Sequence, residues 1–116
     1  MDRVGYLIVP RNREGMVGQM AGDAEPDDLL FFSMTEAEAR ASRPLLHAFQ
    51  DAFGFDAEGA IVEQLIDTRY AGLAESIART WADTATSEVE RRAAACIADA
   101  LAAALDLGSY VEFALD

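Results

Sequence analysis

Apolar residues fall into two kinds of run along this chain: short and continuous, or recurring every three or four positions. Val4, Tyr6, Leu7, Ile8 and Val9 form a continuous run stopped by Pro10. Such a run predicts a strand over residues 4–9, and apolarity at both parities suggests burial on both faces. Leu29 to Phe32, with Met34, read as a second buried strand over 29–34. The end of the chain, residues 109–115, alternates: Val111, Phe113 and Leu115 face a core, with Glu112 between them. Residues 11–28 are ambiguous. Gly15, Gly18 and Gly22 favour loop, whereas Met16, Val17, Met20 and Ala21 suit a short helix ending at Gly22. A strand near 16–20 is the alternative. Residues 23–28 form an acidic turn.

The helical signals are sharper. Thr35 and Glu38 make a capping box, in which hydroxyl and carboxylate each satisfy the other residue's amide. Pro44 lies too deep for one straight helix, because it lacks an amide hydrogen and its ring clashes with the preceding turn. A break at 42–44 follows, with Pro44 opening a second segment that stacks Leu45, Phe49 and Phe53. Gly54 suits a left-handed cap, with Phe55 folding back on the last turn, and Asp56 can cap the next helix. Val62, Ile66, Tyr70, Leu73, Ile77 and Trp81 then share one helical face, with any break near 67–68. Ser87 and Glu90 make a second capping box. It opens a helix whose buried stripe is Val89, Ala93, Cys96/Ile97, Ala100/Leu101 and Ala104, and which stops at Gly108. The expected fold is α+β: one domain over residues 1–116, with a sheet of about three strands (near 4–9, 29–34 and 109–115) packed against four or five helices on one face.

Charge changes this picture. The chain holds 21 Asp and Glu against nine Arg and no Lys, a net charge of -12. Solubility of a small domain asks for a magnitude of about 2–8, and the excess repels itself in the compact state. Because 52% of residues are hydrophobic, the acids belong to a folded surface and not to an acidic disordered tail. Two stretches hold acids without bases. Asp51, Asp56, Glu58, Glu63 and Asp67 lie in the first; Asp99 and Asp106, followed by Glu112 and Asp116, lie in the second. Asp51, Asp56, Glu58, Glu63, Asp67, Asp99 and Asp106 are therefore the candidate partner-binding residues.

Other chemistry lacks the residues it needs. One Cys and one His make no soft-metal motif. An EF-hand loop begun at Asp23 would place Asp28 and Met34 where glycine and glutamate belong. Cys96 lies on an apolar stripe, as a small buried hydrophobe does. His47 and Asp51 are spaced as an ordinary exposed helix pair. Without Lys there is no P-loop, and no G-x-S-x-G occurs. The expectation is a non-enzyme with no cofactor and no metal. Direct nucleic-acid binding is disfavoured because affinity for phosphates rests on Lys and Arg; Arg91/Arg92 and Arg11/Arg13 read as local ion pairs. The start of the chain lacks a secretion-signal pattern, and no stretch is long and apolar enough to span a membrane. The reading is cytoplasmic, and the Ala-rich, Lys-free composition suggests a GC-rich bacterial genome.

In size, acidity and lack of a catalytic motif the chain resembles the immunity proteins of bacterial toxin systems, including contact-dependent inhibition. The resemblance rests on no sequence motif, so it assigns no residue a role. It implies a basic protein partner, a nuclease toxin domain whose cleft the acidic surface occludes. The alternatives are a homo-oligomeric structural or regulatory module, a homodimer included, and a small enzyme using His47 or scattered carboxylates.

Overall fold

A computed structural model describes residues 3–21, 25–53, 65–66 and 68–115, and these hold ten segments of regular backbone. Strand β1 (Arg3–Pro10) leads into helix α1 (Arg13–Ala21), a single 3₁₀ turn (Pro26–Asp28) and strand β2 (Leu29–Thr35). Helices α2 (Glu36–Ala41) and α3 (Arg43–Phe53) follow. Then come a two-residue strand β3 (Leu65–Ile66), helices α4 (Thr68–Thr84) and α5 (Glu88–Leu107), and strand β4 (Val111–Leu115). The fold is α+β. The sheet is antiparallel throughout, in the order β2-β1-β4-β3.

Local chemistry sets most of these boundaries. The Thr35 hydroxyl accepts from the Glu38 amide (3.1 Å), and the Glu38 carboxylate accepts from the Thr35 amide (2.9 Å), so β2 passes directly into α2. Pro44 divides α2 from α3 at Ser42, whose hydroxyl donates to the Ala39 carbonyl (2.7 Å). At the end of α5, Gly108 adopts φ 62° and ψ 37°. Its amide meets the Leu105 carbonyl (3.2 Å) while the Ser109 amide meets Ala104 (2.8 Å). That is a Schellman stop, which needs a left-handed residue. The ambiguous segment is helical: Asn12 caps α1 through the Gly15 amide (2.7 Å) and also bonds the Asp28 carboxylate (3.0 Å). A side chain at Gly15 would collide with the Asp28 carbonyl oxygen, so a glycine first read as a loop signal instead permits close approach.

The outer face of the sheet is only partly covered, which corrects the two-sided burial expected along β1. Leu7 and Val9 are fully buried, but Tyr6 is 41% and Phe31 52% exposed. Register explains the split. Leu7 lies opposite Phe32 and Phe113 on the core face, whereas Ile8 lies opposite Phe31 and Glu112 on the other. One end of that outer face is not bare. Tyr110 is on Glu112's side, is buried, and donates its hydroxyl to the Met16 carbonyl of α1 (3.2 Å). Burial, together with the Glu112 carboxylate, pushes the Tyr110 phenol above its ordinary pKa. The helices are therefore not confined to a single face.

Ile66 is strand and does not share the expected helical face, but the run breaks where expected and α4 starts at Thr68. Its buried face is Ala71, Ala74 and Ala78, each 0% exposed; Tyr70 and Ile77 are half-buried, and Leu73 is 57% exposed. Alanine lets α4 lie close against α5, which presents Ala94, Ile97, Ala98 and Leu101 among its buried residues. Val89, expected on that stripe, is exposed, and Cys96 sits half-buried at its edge with its thiol toward the Ser33 carbonyl (3.9 Å). The expected roles of Gly54, Phe55 and Asp56 and the side chain of Phe53 lie outside what the structure describes.

Candidate protein-binding surface

The structure places three of the candidate carboxylates, one on α3 and two on α5. Asp51 is exposed in the last turn of α3, with His47 exposed one turn before it. Asp99 is on the solvent side of α5, and Asp106 is in that helix's last turn. Asp56, Glu58, Glu63 and Asp67 lie outside the described residues. Asp99 already has a partner: Arg79 of α4 bridges it (3.1 Å) and Glu75 (3.2 Å), clamping α4 to α5. Slight burial works against the Arg79 charge, but the two carboxylates outweigh it and raise its pKa. Arg91 and Arg92 both pair with Glu88, as local ion pairs. Exposed pairs of this kind contribute about 0–1 kcal/mol each.

A feature hidden in the sequence is where the acids sit along the helices. Asp51, Asp83 and Asp106 occupy the last turns of α3, α4 and α5, and none of those turns carries a base. The helix dipole makes that end negative, so each acid opposes it. Asp106→Asn should therefore raise stability by about 0.3–1 kcal/mol, read as a higher urea midpoint. A lower midpoint would show that Asp106 makes a compensating contact.

The α2–α3 break and the α4–α5 turn enclose a pocket of about 210 Å³. Ala41, Ser42 and Leu45 form one side, and Trp81, Thr84 and Ala85 the other. Thr86, Glu90 and Ala94 complete it. Pro44 opens this space by breaking the helix, and the three alanines leave it unfilled. Trp81, expected in the core, is instead 36% exposed at the end of α4. Glu90 also departs from its expected role. The Ser87 hydroxyl does cap the Glu90 amide (3.2 Å), but the Glu90 carboxylate accepts from the hydroxyls of Ser87 (3.0 Å) and Thr86 (3.3 Å), not from a backbone amide. Among the described residues no Arg reaches it. The usable sequence signal is a lone Trp six residues before a capping motif.

Among the described residues no group of three or more His, Cys, Asp or Glu side chains is placed to hold a metal ion. No helix among them is long and apolar enough to cross a membrane. No protein-family model, no curated protein and no solved structure matches the chain.

Proposed function

We propose that this chain is a non-catalytic binding protein that neutralises a basic protein partner, with a nuclease-type toxin domain as the target in a bacterial cytoplasm. The observation that carries the reading is an acidic excess that the fold does not use. Three helices carry an aspartate in the last turn, against their own dipole, and the net charge is -12. Carboxylates held at a cost to stability suit a surface selected for a partner. On a nuclease they would stand where substrate phosphates bind. Complementary charge raises association rates by about 10–10³-fold and disfavours wrong partners.

The test is co-expression with the product of the adjacent gene, followed by association kinetics across a salt series. The expected result is a complex at low salt whose association rate falls steeply as salt screens the charges. No complex at low salt, or a rate indifferent to salt, overturns the reading.

One observation favours a second reading, a homo-oligomer. Among the described strands β2 lies at an edge of the sheet, seven residues long, with no charge and no proline to block pairing. Its own Phe31 is exposed and meets Tyr6 of β1 edge-to-face (6.5 Å between ring centroids). Sedimentation decides the matter: a strict monomer at micromolar concentration removes this reading.

A further inference from the structure

The pocket beside Trp81 has the wrong size for a small-molecule site and the right chemistry for one side chain. Cofactor and drug sites run to about 300–1,000 Å³. At 210 Å³, this one holds the volume of roughly seven waters, the scale of a single long side chain. Its walls are alanine, leucine, an indole and the hydroxyl residues Ser42, Thr84 and Thr86, and the one charged residue among them is Glu90.

Glu90 differs from its neighbours in what it binds. Glu88, two residues earlier, takes both Arg91 and Arg92, while Glu36 takes Arg40, and Glu75 and Asp99 share Arg79. Among the described residues Glu90 meets two neutral hydroxyls and no cation. Those hydroxyls orient the carboxylate without neutralising it. The pocket therefore lies between a carboxylate with no cationic partner among the described residues and an indole, the aromatic group that attracts cations most strongly.

We propose that this pocket receives an arginine side chain of the partner, its stem against Leu45 and Ala94, its guanidinium at Trp81 and Glu90. This rests on the reading of the chain as a binder of a basic protein. Arginine fits better than lysine for physical reasons. Its guanidinium is planar, so it stacks on an indole while its edge donates to a carboxylate. It is also less strongly hydrated than an ammonium and loses less on leaving water. An anchored side chain in a pocket, ringed by weaker contacts, is the usual form of an interface hot spot. The scattered carboxylates would then steer the partner, and this pocket would fix its register.

Trp81 is the chain's one tryptophan, so its emission reports on the pocket alone. The full chain is titrated with Nα-acetyl-arginine amide, with the lysine analogue, and with the neutral isostere Nα-acetyl-citrulline amide. The expected result is a saturable change in emission for arginine at millimolar concentration, with citrulline at least about tenfold weaker and lysine between them. In Glu90→Gln, which keeps an acceptor for Ser87 and Thr86, the preference for arginine over citrulline should disappear. Glu25→Gln, which removes the same charge from the turn before β2, should keep it. Equal responses to arginine and citrulline, or a preference surviving in Glu90→Gln, overturn the proposal. The partner separates this failure from that of the wider reading. If the partner binds in a salt-dependent way but equally to Glu90→Gln and the original chain, the acidic binder stands and the arginine pocket falls.

Discussion

Phe49→Ala should cost about 3–5 kcal/mol, the largest loss expected of any single substitution here. Phe49 is 0% exposed on α3 and meets Phe113 of β4 edge-to-face, with 6.5 Å between ring centroids. This pair joins the helical layer to the central part of the sheet. Truncation removes the transfer free energy of the ring and leaves a cavity that α3 and β4 cannot both move to fill. A domain is stable by only about 5–15 kcal/mol, so the loss approaches unfolding. Urea denaturation should show a much lower midpoint with an unchanged slope. In a double-mutant cycle with Phe113→Ala, the pair should show about 0.5–1.5 kcal/mol of coupling beyond area burial. A midpoint near that of the original chain would mean that Phe49 is not a core residue.

Ala78→Leu should be the second large effect, a destabilisation of about 1–3 kcal/mol. Ala78 is 0% exposed on the face of α4 that lies against α5. Three more carbons there push the helices apart or force side chains out of their rotamers. The companion change is Leu73→Ala, five residues earlier and on the exposed side. Leu73 is 57% exposed, so its truncation should stay within about 0.5 kcal/mol. Hydrophobic periodicity alone predicts the reverse order, because it puts Leu73 in the core and is indifferent to Ala78. Thermal or urea midpoints of the two variants decide between the assignments.

That reversal shows where sequence reasoning stops. Periodicity weights large apolar residues, and in α4 the large ones lie partly outside. Alanine, nearly silent in such patterns, is the residue that permits close helix packing. The same limit applies at the candidate site. The acids could be counted from the sequence, but their position against three helix dipoles needed the helix ends. Trp81 and Glu90 each had an ordinary explanation, a core aromatic and a capping carboxylate. Only the meeting of the α2–α3 break with the α4–α5 turn makes them two walls of one pocket.

What the chain determines by itself is local. Thr35 with Glu38, Pro44, Ser87 and Gly108 place helix starts, a break and a stop within a few residues, because each acts through its own backbone. The three main strands are equally plain, as short apolar runs bounded by Pro10, Thr35 and Gly108. What tertiary structure decided is direction. It chose the buried face of β1, turned α4 onto its alanines, folded α1 onto the outer end of the sheet through Tyr110, and paired Leu65 and Ile66 with β4. Those choices depend on which distant surface each element meets, and a surface is shared between segments far apart in the chain.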